Sequence, residues 1–184
     1  DDSGWSNGPA RLGYGGDGEI TTLSFGPNPN DKHITYYFRK EFVVYGADQY
    51  PMFPLRHLRD DGIVIHVNGI EAHRDNLPAG AVDSETRAVR AIGGVAEDRW
   101  NYVNLEPALF MEGTNLIAVE IHQVSASTNS SDISFDLELV GNLHGPQIAW
   151  VAPTNGASLV AGGSLELSAF ARDDSGLRKV VFYA

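Results

Sequence analysis

Arg59-Asp60-Asp61-Gly62-Ile63-Val64-Ile65-His66-Val67-Asn68-Gly69-Ile70-Glu71-Ala72-His73-Arg74 reads as one β-hairpin. Asp60-Asp61-Gly62 closes a loop, and Ile63 to Val67 is a β-branched run holding a single His. Asn68-Gly69 is the strongest short-range hairpin signal, because a type I′ turn needs positive φ at both central residues. The return strand Ile70–Arg74 alternates into polar residues. Such a hairpin is not stable alone and must lay its apolar face on a second sheet.

Outward from the hairpin, the chain supplies strands for that sheet. Residues 1–31 are rich in turns, and Gly15-Gly16-Asp17-Gly18-Glu19 is no phosphate loop, since no Gly-Lys-Ser/Thr follows. A strand is expected at Ile20–Phe25. Ile34–Val44 puts Tyr36, Phe38 and Phe42 on one face and Tyr37, Arg39 and Glu41 on the other. Leu55–Leu58 leads into the hairpin, after a Pro-containing loop over 46–54. Asn76–Gly94 reads as loop, with a weak helical option at Ser84–Ala91. Trp100–Leu105 is a short strand, and Glu112-Gly113-Thr114-Asn115 turns into Leu116–His122, whose Ile117, Val119 and Ile121 share a face. After a polar loop over Ser125–Asp132, Ile133, Phe135, Leu137 and Leu139 alternate with Ser134, Asp136 and Glu138, a half-buried strand. About seven or eight strands without a helix make a β-sandwich.

Gly141–Pro146 is a boundary. Beyond it come strands at Ile148–Val151, Leu165–Ala171 and Lys179–Tyr183, with turns at Asn155-Gly156 and Asp173-Asp174-Ser175-Gly176. Three strands leave an open edge and a half-built core. The expectation is that more chain follows or that a neighbouring chain completes this part.

Composition narrows the function classes. The 184 residues are 42% hydrophobic and 20% charged, ordinary for a globular protein with one large or two small domains. The net charge of −11 argues against a nucleic-acid partner and suits a secreted protein with carboxylates for Ca²⁺, or serves solubility alone. The absence of Cys rules out disulfides, zinc–thiolate sites and thiol nucleophiles. No apolar run approaches the ~20 residues that span a membrane. The chain opens at Asp1-Asp2 without a signal peptide and is read as mature, excised or intracellular.

Several phrases carry a resemblance: Leu12-Gly13-Tyr14-Gly15, Thr35-Tyr36-Tyr37-Phe38-Arg39, Arg59-Asp60-Asp61-Gly62 and Val67-Asn68-Gly69. Gly113-Thr114-Asn115-Leu116-Ile117-Ala118-Val119-Glu120-Ile121-His122-Gln123 and Ser130-Ser131-Asp132-Ile133-Ser134-Phe135-Asp136 complete the set. Over residues 9–140 these resemble the galactose-binding-like jelly-roll module of large secreted bacterial proteins, and the sugar-binding sandwich of family-two glycoside hydrolases. Residues 147–184 resemble the start of a bacterial Ig-like domain. The resemblance implies an all-β chain: a jelly-roll sandwich at 1–142, a linker at 143–147 and an incomplete Ig-like domain at 148–184. It also implies an extracellular, non-catalytic module for carbohydrate or surface attachment, while composition alone speaks against nucleic-acid binding and membrane insertion.

Candidate sites follow from residue type. Asp60 and Asp61, with Asp132 and Asp136, are candidate ligands of a structural Ca²⁺, an ion that takes six to eight oxygens and is said of the resembled jelly rolls too. The alternative is that Asp60 and Asp61 cap the hairpin and pair with Arg39, Arg59 or Arg74. His66, His73 and His122 lack a metal-ligand spacing and read as sheet-surface histidines. No Gly-x-Ser-x-Gly elbow is present. Tyr14, Tyr45, Tyr50 and Trp100 are candidate sugar platforms, drawn from a set that also holds Trp5, Trp150 and Tyr102, because a flat ring matches the apolar face of a pyranose. The partner is a glycan or cell-surface polymer. The other reading is a structural subunit that self-associates by β-strand addition at the unfinished Ig-like part.

Overall fold

The computed structural model describes residues 2–126, 131–141, 147–152 and 167–172. Nine strands build the sandwich: β1 (Leu12–Tyr14), β2 (Thr21–Thr22), β3 (Thr35–Val44), β4 (Phe53–Asp60), β5 (Gly62–Val67), β6 (Ile70–Asp75), β7 (Asn101–Leu105), β8 (Gly113–His122) and β9 (Ile133–Leu139). One sheet has the order β2-β1-β9-β4-β7 and the other β3-β8-β5-β6. All neighbours are antiparallel except β1 and β2. Among the described residues, only short 3₁₀ turns interrupt the strands and loops. The chain is all-β, as its alternating patterns predict.

Both sheets bury one face against the other. Phe53, Leu55, Leu105, Ile133 and Phe135 of the first meet Ile63, Ile65, Val67, Val119 and Ile121 of the second. Phe53 and Phe110 stack with ring centroids 3.8 Å apart. Burying each such side chain contributes about 1.5–3 kcal/mol.

The central stretch does two things rather than one. Asn68 (φ 51°) and Gly69 (φ 82°) form the expected turn between β5 and β6. The Asn68 amide pins that turn, donating to the Leu109 carbonyl and accepting from the Leu116 N–H, at 2.9 Å each. Asp60-Asp61-Gly62 closes no hairpin. It carries the chain from β4 in one sheet to β5 in the other. β5 is a continuous apolar run because both its faces are covered: Ile63, Val64, Ile65 and Val67 are all fully buried. A Cβ at Gly62 would meet the Asn76 carbonyl and the Leu77 side chain, so the 76–94 segment lies hard against this strand. That segment is irregular where the sequence offers a helix at Ser84–Ala91. It is held by Ala88 N–H to the Gln123 carbonyl and by His122 Nδ1 on the Thr86 carbonyl (2.8 Å). The strand expected at Ile20–Phe25 shortens to Thr21–Thr22.

In the C-terminal part, β10 (Gln147–Ala152) and β11 (Ser168–Arg172) pair antiparallel with an irregularity at Trp150/Ala152. The turns at 155–156 and 173–176, most of the 143–147 linker and the strand expected at 179–183 lie outside the described residues.

Candidate functional site

Among the described residues, two clusters outside the apolar core carry chemistry. The first gathers acids at one end of the β2-β1-β9-β4-β7 sheet. β1 and β9 pair as far as Tyr14 and Ile133, so Gly15 comes directly beside Asp132, and a Cβ at Gly15 would collide with the Asp132 side chain. Gly15 (φ 135°), Gly16 (φ 104°) and Gly18 (φ 87°) give the loop its sharp course. That loop delivers Asp17 to Asp132. From the other side, the turn at Gly94–Ala96 delivers Glu97, whose Oε1 accepts the Gly94 N–H at 3.0 Å. One carboxylate oxygen each from Asp17, Glu97 and Asp132 lies within 4.8 Å of the others, and all three residues are half-buried.

Electrostatics record the crowding. Burial and then the Asp132 charge push the Asp17 and Glu97 carboxyls above their ordinary range. Asp60, at the end of β4 and opposite Ser134, is 2% exposed. Burial pushes its carboxyl up to about 9, helped by Asp61 and then by Asp132 and Glu97. Its Oδ1 has no hydrogen-bond partner among the described residues, which is costly for a buried polar atom. Arg11 is the cation beside the cluster, but it is engaged by Asp98 (2.7 Å) and Ser134 Oγ. The donor set fits an oxygen-seeking cation. Ca²⁺ binds oxygens at about 2.3–2.6 Å, so two of its ligands stand no more than about 5 Å apart.

Of the four predicted acids, the structure brings Asp60 and Asp132 to this end and leaves two apart. Both oxygens of Asp61 accept backbone N–H groups, from Ile92 (2.6 Å) and Val124 (2.8 Å). Asp61 therefore fastens two loops to the crossing between the sheets. Asp136 lies on β9, with Oδ1 accepting the Leu137 N–H at 2.7 Å. Asp17 and Glu97 were missed. The signal for Asp17 was present in Gly15-Gly16-Asp17-Gly18-Glu19, whose glycines mark a loop free to come close to a neighbour; nothing in the sequence marks Glu97.

The second cluster is a row across the outer face of the same sheet. Arg56 on β4 stands opposite Tyr102 on β7 and Glu138 on β9. Trp100 and Tyr102 are two residues apart and share this face. The Arg56 guanidinium lies over the Trp100 ring, 4.3 Å from its centroid, and pairs with Glu138. Tyr102 is 72% exposed. The row thus presents an open aromatic ring beside a fixed cation and a carboxylate.

The predicted platforms separate. Trp100 belongs to this row. Tyr14 is buried in the core, its hydroxyl accepting from Gln123 Nε2 at 2.9 Å. Tyr45 is exposed and Tyr50 half-buried against Phe53, and both line one shallow pocket of about 330 Å³. Trp5 is half-exposed at the amino-terminal end. The side chain of Trp150 lies outside the described residues.

Residues 146–184 match the family model described as a bacterial Ig domain. That domain type is non-catalytic and typically extracellular or surface-exposed. No curated protein matches the chain. Among solved structures, the chain is similar to a β-D-mannosidase from Dictyoglomus thermophilum at 16% identity, TM-score 0.31, over 48% of this chain. The chain spans 9% of that enzyme's length, and a likeness this low carries no argument. No helix among the described residues is long and apolar enough to cross a membrane.

Proposed function

We propose that the chain is a non-catalytic extracellular module whose sandwich, a galactose-binding-like jelly roll over residues 1–142, binds glycans through the Trp100–Tyr102 row. Residues 148–184 would be its Ig-like neighbour. The observation that carries the reading is the exposed Tyr102 ring beside Arg56, with Trp100 and Glu138 holding the guanidinium in place. A pyranose offers an apolar face to stack and hydroxyls to bond, and the row supplies both partners. The acidic end supports the cofactor part of the reading, in which Asp17, Glu97 and Asp132 hold Ca²⁺ and so tie two loops to β9.

The test is a glycan array probed in Ca²⁺ and again in chelator. Selective binding to one glycan class is expected, and an array blank in both conditions would refute the carbohydrate reading. Ca²⁺ should also raise the thermal midpoint of the wild-type chain and leave Asp132→Asn unmoved. Equal midpoints of the wild type with and without Ca²⁺ would remove the cation from the account.

A further inference from the structure

The two sheets do not close on each other along their β3 side. Between them lies a cleft of about 470 Å³, whereas interiors of this kind leave few voids larger than a water molecule. Its volume falls in the range of about 300–1,000 Å³ usual for small-molecule sites. Leu12, Phe135 and Leu137 line it from one sheet, and Phe38, Phe42 and Val119 from the other. These six side chains carry no hydrogen-bonding group, and the polar residues that line the cleft, Ser6, Asn7, Tyr37, Arg39 and Lys40, come from the amino-terminal segment and β3.

One residue breaks the apolar pattern. The inward row of β3 reads Tyr36, Phe38, Lys40, Phe42, Val44, and across β8 these stand opposite Ile121, Val119, Ile117, Asn115 and Gly113. Lys40 therefore occupies a core-facing position against the buried Ile117, yet it is exposed because the cleft is open there. It lines the cleft and makes no ion pair among the described residues. A cation in a core row is costly unless it meets an anion or solvent.

The amino-terminal segment roofs the cleft with Trp5, Asn7 and Ala10. That segment is tied at both ends. Asp2 pairs with Arg39 at 3.1 Å, and Thr21 Oγ1 donates to the Pro9 carbonyl at 2.7 Å. A Cβ at Gly8 would collide with the Thr21 side chain, so the segment runs close over β2. The result is a largely apolar slot with a tied cover and two cations at its edge, of which Arg39 is engaged by Asp2 and Lys40 makes no ion pair among the described residues.

We propose that this cleft binds a single-chain carboxylate amphiphile, its alkyl chain between the sheets and its carboxylate on Lys40. The charge selects the head group, and the apolar walls select the tail.

The test follows displacement of the neutral probe N-phenyl-1-naphthylamine by decanoate and by 1-decanol, in the wild type and in Lys40→Glu. The wild type should bind the probe and prefer decanoate. Lys40→Glu should weaken decanoate about tenfold and leave decanol within about twofold. Because Lys40 is exposed, the variant is expected to fold, and its decanol affinity reports that the cleft is intact. An unchanged decanoate affinity in Lys40→Glu would overturn the proposal. So would probe binding seen only in Trp5→Ala, which would make the chain's own indole the occupant, or probe binding lost as the chain dimerises with concentration.

Discussion

The two sides of the sandwich are sealed by different chemistry. Along β4 and β6 the seam is polar and filled by buried side chains. Buried Arg59 reaches across to Asp75 and also donates to the Asp61 carbonyl at 2.9 Å. Beside it, His57 and His73 meet across the same gap with their Nε2 atoms 3.3 Å apart. Along β3 and β9 the seam is largely apolar and open, and Lys40 at its mouth makes no ion pair among the described residues. Where directional polar contacts join the sheets, the Arg59 and His57 side chains fill the gap. Where only side-chain packing joins them, a space of ligand size remains.

The comparison breaks first at Arg59. Arg59→Met should cost about 3 kcal/mol in chemical denaturation, because Asp75 and the Asp61 carbonyl lose their buried donor. A cost near zero would mean that the polar seam does not depend on its ion pair.

The pH response is next. Burial, then the neighbouring His73 and Arg59, lower the His57 imidazole from 6.5 to about 4. As the pH falls, the unfolded chain takes up this proton before the folded one does. The contribution is therefore complete above about pH 6.5 and is lost as the pH falls toward 4, by about 3 kcal/mol at the lower end. His57→Leu should flatten that slope in urea denaturation series run across the window. A slope as steep as the wild type's would assign the acid sensitivity elsewhere.

On the open side, Lys40→Met should change stability by no more than about 0.5 kcal/mol, since Lys40 makes no ion pair among the described residues. A large loss would place Lys40 in the closed core and erase the difference between the seams.

Much of the architecture was legible in residue pattern. The alternation of Ile133, Phe135, Leu137 and Leu139, and the Asn68-Gly69 turn, are local signals that burial and φ requirements impose directly. Two features were illegible because their causes are not local. Asp60-Asp61-Gly62 looks like a hairpin closure, but the partners of β4 and β5 lie in different sheets, which no short window reveals. Asp61 looks like a cation ligand, yet both its oxygens are taken by the N–H groups of Ile92 and Val124, far along the chain. The acidic end is assembled by three loops, so only Asp60 and Asp132 stood out beforehand, while Asp17 and Glu97 did not. Lys40 is the opposite case. Its inward phase follows from its alternation with Phe38 and Phe42, but the opening that makes a lysine tolerable there appears only when the two sheets are assembled.

The most direct test of the proposed glycan binding is Tyr102→Ala, assayed for retention on whichever glycan the wild type selects and for its unfolding midpoint. Tyr102 projects from the sheet into solvent, so the account predicts lost retention, at least about tenfold, with a midpoint unchanged. Retention equal to the wild type's, at equal stability, would contradict it.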